Sequence, residues 1–276
     1  MKSKRVLFIT QRITPYVAED PYSLLGRRLP QAVQEQGREI RTFMPKWGVI
    51  NERRMQLHEV IRLSGMNLII DGTDHLLILK VASIPSARMQ VYFIDNDDYF
   101  MRRLELGDAE TGEYADNGER AIFYARGVLE TVKKLRWVPE IIHCQGWISA
   151  LAPLYIKTSY REEPSFRDSR IVFTPAAEDL KLPMDDQFVP SLLFKGLPEG
   201  LTEQLPATIT MRDLYHLALD YSDALLLPAG LNDDELVAYA KKRKLKVVTN
   251  FDIQADDIGT RATEFFDAVW SHGKKE

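Results

Sequence analysis

The sequence predicts an α/β fold: a Rossmann-like, doubly wound parallel sheet with an antiparallel hairpin insertion. Three observations carry this prediction. Short apolar runs of strand length alternate with amphipathic stretches of helix length. Capping signatures stand where those helices should begin. Between residues 57 and 96 the alternation gives way to consecutive strand patterns with no helix between them.

Taken in order, Val6–Thr10 is a buried-strand pattern, followed by a polar turn and a helix through Leu24, Leu25, Leu29 and Val33 that should stop at Gly37. Ile40–Met44 is the second strand. His58–Leu63, Leu68–Ile70, Leu76–Val81 and Met89–Ile94 supply the strands of the insertion. Asp116 and Glu119 have capping-box spacing ahead of a helix with apolar positions at Ile122, Ala125, Leu129, Val132 and Leu135. Ile141–Cys144 reads as a strand and Trp147–Tyr160 as a helix. Ile171–Thr174, Ala224–Leu227 and Val247–Thr249 complete the strands, with caps at Thr210…Asp213 and Asn232…Glu235. The Pro/Gly-rich stretch 183–206 reads as a long loop excursion. Its Met184, Phe188 and Leu192–Phe194 suit either an apolar docking patch or packing on their own domain. Ligands of such sheets bind at the carboxyl ends of the strands.

The 276 residues suit one large domain, read as spanning 1–276, and their 45% hydrophobic content excludes global disorder. Lys plus Arg numbers 36 against 40 for Asp plus Glu, a net charge of −4, so no basic excess supports nucleic-acid binding. The single cysteine, Cys144, excludes an internal disulfide framework. The apolar run Val6–Ile9 is too short for a signal peptide, and none approaches the ~18 residues of a membrane span, so a soluble, cytoplasmic protein is expected. No metal or cofactor is expected: Asp95, Asp97 and Asp98 read as a solvated acidic loop, and no dinucleotide or P-loop motif occurs. His143 beside Cys144 reads as a core histidine, and Lys241–Lys244 as the basic end of a helix begun by Asp233–Glu235.

Several ordered segments together resemble one family. Arg5–Thr10 with Pro15-Tyr16 and Leu29-Pro30, Val91–Asn96 with Tyr99-Phe100, Tyr114–Arg120 and Pro139–Trp147 are similar to motifs of the N-terminal domain of bacterial glycogen synthases and plant starch synthases. The resemblance covers roughly residues 5–175. It implies half of a two-domain GT-B glycosyltransferase that moves glucose from ADP-glucose to an α-1,4-glucan, with the C-terminal donor-binding domain expected to be absent. It further implies a cleft in which Tyr16, Asp116, Asn117, Gln145 and Trp147 could meet a glucan.

The catalytic signatures depart from the family pattern. Where the family's first loop reads Lys-Thr-Gly-Gly-Leu-x-Asp, this chain holds Ala18, Asp20, Pro21 and Leu24 at the lysine, first-glycine, second-glycine and aspartate positions. Phosphate binding there needs a cation and close backbone approach, which alanine, aspartate and proline do not provide. The family's His-Asp-Trp-His is Gln145-Gly146-Trp147-Ile148, and its Thr-Ile-His-Asn is Thr174-Pro175-Ala176-Ala177. These losses predict a pseudoenzyme, inactive by itself, that acts as a binding or regulatory protein for an α-glucan or through a homo-oligomer. The alternative is an active subunit completed by a separate donor-binding chain.

Overall fold

The computed structural model describes residues 3–101, 103–176 and 180–272. In chain order the elements are β1 (Arg5–Ile9), α1 (Pro21–Glu35), β2 (Glu39–Pro45), β3 (His58–Glu59), β4 (Met66–Ile70), β5 (Thr73–Ile84) and β6 (Met89–Asp95). A small ribbon, β7 (Gly107–Asp108) and β8 (Gly112–Glu113), precedes α2 (Asn117–Lys134). Then come β9 (Ile141–Gln145), α3 (Ala152–Lys157), β10 (Arg170–Thr174), α4 (Phe188–Ser191), α5 (Leu201–Gln204) and α6 (Met211–Asp220). The chain continues with β11 (Ala224–Pro228), α7 (Asp234–Lys242), β12 (Lys246–Phe251) and α8 (Ile258–His272).

One sheet runs β12-β11-β10-β9-β1-β2-β6-β5-β3, with β4 paired to β5. Every neighbouring pair from β12 to β6 is parallel, while β5 runs antiparallel to β6, β4 and β3. Of the strands read between 57 and 96, His58–Leu63 shortens to His58–Glu59, and Met89–Ile94 closes an antiparallel hairpin with β5 while also joining the main sheet parallel to β2. The sheet is wound both ways from its centre. From β1 the chain moves outward through β2, and later through β9, β10, β11 and β12 on the other side, so β1 and β9 flank the topological switch point.

Strand alternation divides the core. Val6 and Phe8 face a layer made by Leu25, Leu29 and Val33 of α1 with Ala262, Phe266 and Val269 of α8. Leu7 and Ile9 face the larger layer containing Ile122, Val128 and Leu129 of α2, Leu154 of α3 and Leu214 of α6. Helix α8 was not foreseen from the sequence. The expected helix from Trp147 to Tyr160 is broken into a 3-10 turn, Trp147–Ser149, and the short α3, whose first turn contains Pro153.

Two caps differ from their sequence reading and one agrees with it. Thr210 and Asp213 form a capping box at α6. At α7 the cap is Asp233, which accepts from Leu236 N, and not Asn232. At α2 Asp116 makes no cap hydrogen bond, because Arg103 takes its carboxylate and Glu119 accepts from the Tyr99 hydroxyl at 2.6 Å. The 183–206 excursion folds back on its own domain through Phe188, fully buried against Gly118, where a Cβ would come within 2.4 Å of the ring. Arg126 stacks over Phe194 at 4.0 Å, while Leu193 stays 63% exposed.

Candidate functional site

A cavity of about 270 Å3 opens at the switch point, at the carboxyl ends of β1, β9, β10 and β11. The loop after β1 contributes Gln11 and Arg12, and the start of α1 contributes Asp20, Pro21 and Tyr22. Gln145 and Gly146 follow β9, Ala176 follows β10, and Pro228–Leu231 close the far side.

The first turn of α1 fixes the electrostatics. Asp20 is its N-cap: its Oδ1 accepts from Tyr22 N at 2.7 Å and Ser23 N at 2.8 Å, and its own N–H donates to Ser23 Oγ at 2.9 Å. Pro21 follows at the first helical position, where a missing N–H is harmless. The amide donors that make a helix N-terminus attractive to an anion are therefore satisfied by a built-in carboxylate. Arg12 is the cation of the cavity, and it is shared between Asp20 at 2.9 Å and Glu105 at 3.2 Å. One guanidinium thus faces two carboxylates. A phosphate entering here would meet a filled helix terminus and a guanidinium already paired with carboxylates.

Neutral groups complete the walls. Gln145 Nε2 donates to Tyr22 O at 2.9 Å. Gln11 is 3% exposed and joins three segments: its Oε1 accepts from Trp147 N at 2.9 Å, its Nε2 donates to Glu105, and its carbonyl accepts from Trp47 Nε1 at 2.9 Å. Neither Gln11, Arg12 nor Glu105 stood out in the sequence. The only local signal was their position just past a strand, where ligand groups of open sheets cluster.

Of the five residues expected to meet a glucan, only Gln145 lines the cavity. Tyr16 is 4% exposed and packs edge-on against Phe93, and burial pushes its phenol up to about 12. Trp147 is fully buried. Asp116 is held by Arg103, which stacks on Tyr114 at 4.1 Å. Asn117 donates to Leu106 O at 2.8 Å and accepts from Arg120 at 2.6 Å. Tyr22, half-buried, is the aromatic ring that does line the cavity. Among the positions departing from the family loop, Ala18 is exposed and Leu24 packs against the α1–α8 core layer. Asp20, Pro21, Gly146 and Ala176 border the cavity, and Ala177 lies outside the described residues.

The remaining titratable candidates are structural. His143 Nε2 bonds Thr174 Oγ1 at 2.9 Å between Phe8 and Phe266, and burial lowers its pKa to about 3. Burial pushes the Cys144 thiol up, away from the reactive thiolate. Asp95 pairs with Lys80 at 2.7 Å, and no group of His, Cys, Asp or Glu among the described residues could hold a metal ion. No helix among them is long and apolar enough to cross a membrane.

The low imidazole pKa has a sign that can be tested. Between its unfolded value near 6.5 and about 3, the unfolded chain takes up a proton at His143 that the folded chain refuses. Stability present above about pH 6.5 is therefore lost as the pH falls toward 3, at up to ~1.4 kcal/mol per pH unit from this group. Urea unfolding at pH 7 and pH 5 should show a larger acid loss for the wild-type protein than for His143→Gln. Equal losses would remove the imidazole from the account.

Comparison with known proteins fits this architecture. The family model for the starch synthase catalytic domain matches residues 5–187. This chain belongs to that family. It is 33% identical over 235 residues to the glycogen synthase of Pelodictyon phaeoclathratiforme, covering 84% of this chain and 47% of that protein. It is 39% identical over 171 residues to the glycogen synthase of Chlorobium phaeobacteroides, covering 62% of this chain and 35% of the relative. The chain spans about half the length of the curated relatives it matches. In fold it is similar to the catalytic domain of starch synthase IV from Arabidopsis thaliana, solved bound to ADP and acarbose. The TM-score is 0.70 at 15% identity, covering 91% of this chain and 52% of that one. The sheet is thus the Rossmann-like half of a GT-B glycosyltransferase fold, and the cavity lies at its switch point.

Proposed function

We propose that this chain uses the starch synthase fold as a binding or regulatory protein of glucan metabolism, with a cavity that takes neutral carbohydrate and not a nucleotide sugar. The observation that carries this reading is Asp20. Its carboxylate occupies the N-terminus of α1 and neutralises Arg12, the cation a diphosphate would need. A neutral sugar asks only for hydrogen-bonding groups and a ring to pack on, and Gln145 and Tyr22 offer these side by side.

Calorimetric titration tests the reading. ADP-glucose should bind no tighter than glucose, because each missing charge-assisted bond, ~1.5–3 kcal/mol, removes roughly 10- to 100-fold in affinity. A short maltooligosaccharide should bind more tightly than either. Micromolar binding of ADP-glucose, or incorporation of its glucose into glycogen by this chain, would overturn the proposal. Heat from none of the three would overturn the carbohydrate ligand and leave self-association, read by sedimentation, as the binding role.

A further inference from the structure

A second cavity, of about 430 Å3, lies at the opposite end of the strands, at the amino ends of β2 and β6. Its charged lining residues are Arg41 and Arg88, and the polar remainder is uncharged: Gln34, Ser83, Gln90 and Tyr92. Among the described residues no carboxylate lines this wall, in contrast to the switch-point cavity, whose arginine pairs with Asp20 and Glu105. We propose that this second cavity is a binding site for a small phosphoryl anion.

The arrangement of donors supports that ligand class. Arg41 lies within 5.9 Å of the Tyr92 ring and 5.3 Å of the Trp137 ring, so aromatic faces hold its guanidinium, and the Glu39 carboxylate acts on it through space without a hydrogen bond to it among the described residues. Its Nη1 donates to the Tyr92 hydroxyl at 2.8 Å, while its Nε is buried without an acceptor. Because Tyr92 Oη accepts that bond, its own proton remains free for an anion oxygen. Glu39, the carboxylate two residues before Arg41, is engaged by Trp137 Nε1 at 2.6 Å and Arg5 at 3.1 Å. Arg88 is exposed at the tip of the turn between β5 and β6 and has no ion-pair partner among the described residues. Gln34 Nε2 fastens that turn by donating to Arg88 O at 3.0 Å. Arg27, bonded to Ser86 Oγ at 3.0 Å, adds a third guanidinium beside the turn. Arginine forks match phosphate oxygens in geometry as well as charge.

Arg88 also provides a clean variant. Its φ is +49°, a left-handed conformation that asparagine adopts with less strain than arginine, so Arg88→Asn should fold normally. The full chain would be titrated at constant ionic strength with inorganic phosphate, and separately with glycerol 2-phosphate. The readouts are heat and the Nε–Hε resonances of the arginines. Saturable binding that moves the Arg41 resonance is expected, weakened at least about tenfold in Arg88→Asn at an unchanged unfolding midpoint. The tighter of the two probes tells free phosphate from a phosphomonoester, and either supports the site. Lys241→Ala, which removes an exposed cation at the end of α7, should leave the response unchanged. Failure of both probes to saturate, equal affinity in Arg88→Asn, or loss of the response in Lys241→Ala would each overturn the proposal. None of these outcomes bears on whether the switch-point cavity takes a sugar.

Discussion

Replacing Arg120 by methionine is expected to destabilise the protein by roughly 3 kcal/mol or more, because each buried acceptor left without its donor costs ~1–3 kcal/mol. Arg120 is fully buried on α2. Its guanidinium donates to Tyr99 O at 3.0 Å, Leu104 O at 2.8 Å, Glu105 O at 2.9 Å and Asn117 Oδ1 at 2.6 Å. It also lies about 5 Å from the Trp47 and Tyr114 rings, at 5.2 and 5.1 Å. No carboxylate bonds it directly, and burial, reinforced by nearby Arg103, lowers its pKa to about 10, so it remains a cation at neutral pH. Methionine would fill much of the volume but leave four oxygens without a donor. Lysine would keep the charge and lose the fork, so Arg120→Lys should recover only a minor part. Urea unfolding at pH 7 measures both, and a loss below about 1 kcal/mol for Arg120→Met would refute the role. The effect should reach the cavity, because the backbone Arg120 holds carries Glu105, which in turn holds Arg12 and Gln11.

How far the sequence foretold this molecule depends on the range of the interaction. Strand alternation, the stop at Gly37 and the Thr210–Asp213 cap are local, and they appear where the pattern places them. Helix α8 was equally legible: Ile258, Ala262, Phe266 and Val269 recur at helical spacing. The parallel pairing of β6 with β2 was hidden because parallel neighbours usually require a helical crossover, and here strands and turns make the connection. The aromatic residues carried onto the cleft by motif, Tyr16 and Trp147, are large apolar surfaces that the core claims first. The cavity's charge balance joins Gln11 and Arg12 to Glu105 across more than ninety residues, which no local pattern encodes. Asp20 was visible as a lost glycine. That it caps a helix is written in Asp20-Pro21-Tyr22-Ser23, an N-cap followed by proline.

Restoring the family aspartate at Gly146 should damage the protein instead of rebuilding a catalytic site. Gly146 has φ +84° and ψ 171°, a region open essentially to glycine alone, and occupying it with another residue costs about 1–3 kcal/mol. A Cβ there would stand 1.9 Å from Gln11 Oε1 and 2.7 Å from Gln11 Cβ. Gln11 cannot step aside without giving up its bonds to Trp147 N and Glu105 in a buried position. Strain and overpacking together put the expected loss for Gly146→Asp at roughly 3 kcal/mol or more. Gly146→Ala separates the causes: it meets the same clash and strain without a charge, so it should lose nearly as much. If Gly146→Ala were neutral while Gly146→Asp unfolded, buried charge and not backbone geometry would be the obstacle. The consequence for function follows from the same backbone. The turn after β9 is shaped around a residue without a side chain, so adding the family's lysine at Ala18 and aspartate at Gly146 together should yield no glucosyl transfer from ADP-glucose. Incorporation of radiolabelled glucose into glycogen by Ala18→Lys/Gly146→Asp would show that the cavity still has the geometry of a transferase, and the proposed binding role would fall with it.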